Sequence, residues 1–128
     1  MEITANALQT VATGAPVVFT ETAVNGNCSV LHREGSGLVT LRGITNQYRA
    51  RFRVTFGANI ALPADATVGP ISLAIAVNGE PIGSTTMIST PAAVEEFSNV
   101  GRVLFLDVAA GCCVQVSVEN IGTTAVNV

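Results

Sequence analysis

The fold is decided by the stretch Tyr-Arg-Ala-Arg-Phe-Arg-Val-Thr-Phe at residues 48–56, in which apolar and polar side chains alternate. Successive side chains of a strand point to opposite faces, so this pattern predicts a strand with one buried face. The residues predicted on the buried face are Tyr48, Ala50, Phe52, Val54 and Phe56. The other face takes Arg49, Arg51, Arg53 and Thr55. Three guanidinium groups therefore form a ladder that can face water, a partner subunit or an anionic ligand.

The rest of the chain follows the same β pattern, in short apolar segments separated by turns. Strands are predicted at residues 17–19, 28–31, 37–42, 71–77, 85–89, 103–108, 114–119 and 125–128. The arginine strand can run on to Leu62 after a bend at Gly57. Asn78-Gly79 predicts a two-residue hairpin turn, and Ala110-Gly111 predicts a second hairpin. Only residues 92–97 suit a short helical turn. Eight to ten short strands predict an all-β antiparallel sandwich or barrel.

Composition indicates one domain that is part of an assembly. A chain of 128 residues can bury a core without disulfide or metal staples. Apolar residues make up 48% and charged residues 12%, which leaves little polar surface to cover an isolated monomer. No apolar run has the length of a membrane span, and the first thirteen residues lack the features of a signal peptide. We therefore expect a soluble protein with no membrane partner and no export signal of its own.

The charges are unevenly distributed. Residues 33–53 hold five arginines and one acid, for a local charge of +4, while the remainder holds one arginine and eight acids, for −7. The chain contains no lysine. Nucleic-acid-binding proteins usually carry a basic excess with aromatic residues interleaved. The sequence therefore predicts no nucleic-acid partner, and the arginines suit salt bridges to carboxylates.

Three cysteines, Cys28, Cys112 and Cys113, leave the thiol chemistry open. Adjacent strand residues point to opposite faces, so only one of Cys112 and Cys113 can meet Cys28 in the core. Such a bridge is one alternative, and small buried or half-buried thiols are the other. With one histidine and no Cys-x-x-Cys pair, no metal site is predicted.

The order of these elements resembles a known family of β-sandwich heads. The matching pieces are residues 48–56, the run from Leu73 to Ile82, and the two segments 103–108 and 114–120 joined through a glycine. Together they resemble the tumour necrosis factor-like jelly roll of complement globular heads and of bacterial spore-surface collagen-like proteins. From Cys28 to Asn120 the chain is also similar to small structural proteins of bacteriophages and of prophages of gut Firmicutes. The resemblance implies a jelly-roll domain over residues 14–128. Residues 1–13 show weak periodicity, and we expect them to form an N-terminal arm that packs on a neighbour or stays loose.

The sequence departs from that family at two places. Thr45-Asn46-Gln47 stands where those heads usually carry glycine before the aromatic strand, and Gly111-Cys112 stands where they carry Gly-Asp. Their last strand also continues past the point that corresponds to Val128. We therefore expect a short closing strand, or one whose place is filled by the N-terminal arm or by a neighbouring subunit.

The resemblance further implies a homotrimer with one sheet of the sandwich facing the threefold axis. The arginine strand and the strand at 103–108 would then be neighbours in that sheet. The residues expected at the subunit interface are Arg49, Arg51, Arg53, Val103, Phe105 and Asp107. Asp107 and acids such as Glu95, Glu96 or Glu119 are expected to neutralise arginines across the contact. The alternative is a ladder that forms a solvated outer face.

The sequence does not predict an enzyme, a cofactor or a metal. His32 is the only imidazole, and Gly35-Ser36-Gly37 lacks the spacing of a nucleophile elbow or a phosphate loop. It is expected to form a turn with unusual backbone angles. Glu95 and Glu96 suggest glycosidase chemistry only if they face a cleft, and Asp65 alone cannot hold calcium.

Two non-enzymatic functions follow from the resemblance. One is a structural protein on a virion surface, made in the bacterial cytoplasm, which decorates or cements a capsid or heads a fibre through contacts with itself and with capsid or fibre proteins. The other is a head of a phage or of a spore or cell surface that binds a host glycan or protein ligand. Glycan sites usually offer aromatic platforms, and a chain with no tryptophan and one tyrosine favours the structural role.

Overall fold

The computed structural model describes residues 1–24, 30–43, 49–109 and 113–128. Within these ranges the chain forms twelve β-strands and one turn of 3₁₀ helix at Gly83–Thr85. The strands are β1 (Glu2–Thr4), β2 (Thr10–Val11), β3 (Glu21–Val24), β4 (Val30–His32), β5 (Val39–Arg42), β6 (Arg49–Ile60), β7 (Ile71–Val77), β8 (Glu80–Pro81), β9 (Met87–Ser89), β10 (Ser98–Ala109), β11 (Cys113–Asn120) and β12 (Val126–Asn127). Every strand pair is antiparallel. The prediction of an all-β antiparallel sandwich is confirmed at this level.

The strands form two layers. The first is a six-stranded sheet in the order β4-β5-β11-β7, with β8 and β9 sharing the far edge of β7. The second contains the ribbon, our name for β6 and β10, which pair over twelve successive residues. β12 lies beside β2, and a bridge between Asn127 and Ala61 joins β12 to the end of the ribbon. β1 and β3 form a separate pair.

One buried cluster holds the two layers together. The six-stranded sheet contributes Leu73 and Ile75, both with no exposed surface, and the ribbon contributes Ile60 and Val108. Val126 of β12 is equally buried. Fully burying a side chain of this kind stabilises the fold by about 1.5–3 kcal/mol. The core therefore fixes which face of each strand points inward.

The strand at residues 71–77 and its hairpin turn are confirmed. Asn78 and Gly79 have φ of 52° and 83°, as a two-residue turn with a positive φ at both positions requires. The strand predicted at 85–89 is shorter than expected, because the chain first forms the 3₁₀ turn. The Thr85 hydroxyl accepts a hydrogen bond from the N–H of Ile75 at 3.0 Å, and only Met87–Ser89 pairs with β7.

The predicted hairpin between residues 103–108 and 114–119 is wrong. β10 pairs with β6, whereas β11 lies between β5 and β7 in the other layer. The chain crosses from one layer to the other between these strands, and the connection at 110–112 lies outside the described residues. β11 therefore has a partner strand on each of its two edges, and neither of them is β10.

Three other segments differ from expectation. β6 continues to Ile60 without a break at Gly57. Residues 17–19 make only an isolated bridge at Phe19, and a strand follows at Glu21–Val24. Residues 92–97 form a non-helical turn in which Glu95 has a φ of 58°.

Residues 1–13 contain two paired strands, of which β2 joins the second layer and β1 belongs to the separate pair with β3. β1 pairs with β3, Val11 is 3% exposed, and β2 pairs with β12. The buried Asn120 side chain adds a link, since its Nδ2 donates to the carbonyl oxygens of Val11 and Thr124 at 3.0 and 2.8 Å. The closing strand β12 is short, as expected.

Candidate functional site on the outer face of the ribbon

The ribbon presents a continuous outer face. Its register places Phe105 opposite Arg53, Asp107 opposite Arg51 and Val103 opposite Thr55. Residues opposite one another in an antiparallel pair share a face, so the arginine strand and residues 103–108 are neighbours on one side of the ribbon, as predicted. Arg49 lies opposite Ala109 and follows the same alternation as Arg51 and Arg53. Its side chain and the residue Tyr48 lie outside the described part of the chain.

The outer face points outward because the opposite face of the ribbon packs on the core. Phe56 and Val108 belong to the buried cluster, and Phe52, Val54 and Leu106 pack against it. A shift of either strand by one residue would move these side chains into water and the arginines into the core. The orientation of the outer face is therefore fixed by the apolar half of the alternation.

Towards the Ile60 end of the ribbon, the outer face carries a glycine pair and an asparagine pair. Gly57 lies opposite Gly101, and beyond them the Asn99 amide donates to the Oδ1 of Asn59 at 3.1 Å. A Cβ at Gly101 would lie 3.3 Å from the carbonyl oxygen of Phe56, so a side chain there would crowd the partner strand. The sequence analysis did not include Asn59, Asn99 or the glycine pair in the site. Extending the alternation past Phe56 would have placed Asn59 on this face.

Arg51 and Asp107 form a two-point ion pair within the chain. The Nε of Arg51 donates to Oδ1 at 2.9 Å and its Nη2 donates to Oδ2 at 3.3 Å. This hydrogen bond, with the charge of Asp107, raises the pKa of Arg51 above its usual value. We expected Asp107 to neutralise an arginine across a subunit contact, whereas its carboxylate holds Arg51 of its own chain. The pair is 64% and 32% exposed, so it contributes little to stability.

Beside this neutral pair lies an apolar and cationic patch. Phe105 is 65% exposed and Val103 is 45% exposed, although both lie in the middle of a twelve-residue strand. Arg53, directly opposite Phe105, is exposed and makes no hydrogen bond or ion pair with the described residues. An exposed aromatic residue next to an arginine is typical of protein–protein interfaces.

The remaining candidates lie apart from one another. The Nε2 of His32 is 3.0 Å from the carbonyl oxygen of Ser36, and the ring packs edge-on against Phe19. Gly35 has a φ of 88°, which confirms the expected turn. Glu95 and Glu96 lie on the turn before β10, and Asp65 lies in another turn.

No group of three potential metal ligands occurs in the described ranges. Cys113 is exposed at the start of β11, while Cys28 and Cys112 lie outside the described residues. No helix in the described part of the chain has the length and apolar character needed to cross a bilayer.

A scan against protein-family models gave no match, and a search of curated proteins found no similar sequence.

Proposed function

We propose that this protein is a non-enzymatic structural subunit that assembles as a homotrimer through the outer face of the ribbon, on the surface of a virion. The observation that carries the proposal is the exposure of Phe105 and Val103 beside Arg53 on the outer face of the ribbon. Water-facing positions in the middle of a strand normally take polar side chains, so two large apolar residues there favour burial against another molecule.

The composition of the outer face suits contact between copies. Phe105 and Val103 supply apolar area, the glycine pair allows close approach, and Arg53 offers a cation without a partner among the described residues. Arg51 is already neutralised by Asp107, so burial of that pair costs less than burial of a lone charge. The acids outside the ribbon, such as Glu95 and Glu96, are candidate partners for Arg53 on a neighbouring subunit.

The proposal includes a tumour necrosis factor-like jelly roll. Its support is the arrangement of antiparallel strands in two layers, with the six-stranded sheet in one and β2, β12, β6 and β10 in the other. Jelly rolls of capsid proteins and lectins are likewise double sheets of antiparallel strands. The virion location is part of the proposal and follows from the resemblance described for residues 28–120 in the sequence analysis.

Two exposed phenylalanines argue for the structural role over glycan recognition. Phe97 and Phe105 are 53% and 65% exposed. They are eight residues apart along an extended segment, which is about 26 Å at about 3.3 Å per residue. That separation is too large for one sugar-binding platform.

Light scattering on the purified chain tests the proposal. We expect a mass of about 39 kDa, three times the 13.1 kDa of one chain, at micromolar concentration. A mass of one chain would refute the trimer. Antibody labelling of intact particles then tests the location, and a glycan array with reproducible hits would favour the recognition head instead.

A further inference from the structure

The second edge of β6 is open along most of its length. β6 pairs with β10 on one side, and on the other side the described residues give it only the bridge between Ala61 and Asn127. At that bridge each residue donates its N–H to the other's carbonyl oxygen at 2.9 Å. Backbone groups of a strand alternate between its two edges, so Arg51, Arg53, Thr55, Gly57 and Asn59 also direct their N–H and C=O groups to this open edge.

The packing of the glycines supports this assignment. The Cβ built at Gly101 approaches the carbonyl oxygen of Phe56, which shows that an even-numbered residue of β6 points its carbonyl at β10. The pairing of β6 with β10 has no bulge from Arg49 to Ile60, so the alternation is unbroken. Five successive odd-numbered residues therefore offer a row of donors and acceptors that no other strand among the described residues uses.

Three hollows lie in series along this edge. The first, of about 510 Å³, lies between the N-terminal segment at residues 3–8 and β6 at residues 56–59, and Val128 lines it as well. The second, of about 90 Å³, and the third, of about 170 Å³, lie beside residues 52–56 of β6. Both are lined by Val39, Leu41 and Val54, together with Thr55. The mouth of the first is flanked by the exposed Leu8 and Phe97.

We propose that this groove binds an extended segment of another polypeptide as an added strand, apolar at alternate positions and acidic between them. The segment would continue the antiparallel register of β12, because Asn127 already pairs with Ala61. Its residues opposite Ala58, Phe56, Val54 and Phe52 would point into the apolar hollows. Those opposite Arg53 and Arg51 would point outward, beside the Arg53 guanidinium, for which the described residues supply no partner.

The choice of an acidic partner over a second copy rests on charge. Two copies of β6 meeting edge to edge would bring their arginines onto one face, and like charges in adjacent strands are destabilising. The inference concerns the edge of β6, whereas the proposed subunit contact uses the outer face of the ribbon. An experiment can therefore refute the inference about the edge of β6 without refuting the proposed subunit contact, and the reverse also holds.

Amide hydrogen exchange measured by NMR tests the open edge itself. In dilute protein we expect fast exchange at Arg51, Arg53, Thr55, Gly57 and Asn59, and slow exchange at the even-numbered residues between them. Slow exchange at the odd-numbered residues in dilute protein would overturn the proposal. Protection that appears only as protein concentration rises would identify a second copy as the occupant, which also overturns it.

Peptide binding tests the partner. The probe is the capped nonapeptide Thr-Val-Thr-Val-Thr-Val-Glu-Val-Glu, whose register places the two glutamates opposite Arg53 and Arg51. Titration by calorimetry to about 1 mM should show binding, with protection of the five odd-numbered amides. The matched peptide with lysine for both glutamates should bind at least about tenfold more weakly. Absence of binding, or equal binding of the lysine peptide, would contradict the proposal.

Methylated peptides test the backbone hydrogen bonds without any change to the protein, and a variant at Arg53 tests the charge. Methylating the backbone nitrogen of the glutamate opposite Arg53 removes a hydrogen bond to β6 and should weaken binding about fivefold. The backbone nitrogen of the valine opposite Val54 points away from β6, so methylating it should weaken binding less. An Arg53→Glu variant should reduce the preference for the glutamate peptide, and an unchanged preference would rule out charge recognition.

Discussion

Replacing Phe105 with alanine should weaken self-association while leaving the fold intact. The residue is 65% exposed in the single chain. A phenylalanine has roughly 200 Å² of surface, so a subunit contact can bury about 130 Å² there, which is worth about 3 kcal/mol. Alanine retains about a third of that area, so each contact should lose about 2 kcal/mol, or about 30-fold in its equilibrium constant.

Ile88 is the matched control for this substitution. It is also 65% exposed and also lies in a strand, but in β9 of the other layer. Sedimentation velocity over a dilution series should show Phe105→Ala dissociating at higher concentration than wild type, with Ile88→Ala unchanged. Thermal unfolding of both variants should stay within about 0.5 kcal/mol of wild type at full dissociation. Equal association of the Phe105→Ala variant and wild type would refute the reasoning.

Three further predictions concern the single chain. Asn120→Asp removes a donor that serves one buried and one partly buried carbonyl and brings a carboxylate against them. It should cost about 3 kcal/mol in urea unfolding, and unchanged stability would contradict this. Gly37→Ala places a Cβ 2.7 Å from a backbone oxygen and should cost about 1–3 kcal/mol, whereas Gly83→Ala meets nothing within 4 Å and should be near neutral. Because the pKa of Arg51 is raised, its pairing with Asp107 stabilises the fold below the ordinary arginine pKa and loses that effect only as pH rises through the raised value. Arg51→Gln should therefore shift unfolding by the same small amount at about pH 6 and about pH 9, and a shift that differs between them would contradict this.

Local signals in the sequence were enough for several strands. The alternation at residues 71–77 and the Asn78-Gly79 turn predicted β7 and its hairpin, because both features are set by neighbouring residues. The turn at Ala110-Gly111 was compatible with a hairpin and with a crossing between layers. The place of β11 between β5 and β7 depends on pairing with distant segments, which no local pattern contains.

The candidate site shows the same division. Alternation predicted which residues of β6 and β10 face outward. Alternation does not determine which residues of the two strands lie opposite one another. A shift of two residues would place Asp107 opposite Arg49 or Arg53 and leave every side chain on the same face of the ribbon. The ion pair between Arg51 and Asp107 and the open edge of β6 follow from the three-dimensional pairing alone.

Hydroxyl-radical footprinting of side chains tests the central claim most directly. If the outer face of the ribbon is the subunit contact, the Phe105 ring should be oxidised several-fold more slowly in the assembled protein than in dilute monomer. Ile88, which is 65% exposed and lies in β9 of the other layer, is the internal control and should react equally in both. Equal oxidation of Phe105 in an assembly of confirmed mass would place the contact elsewhere on the molecule.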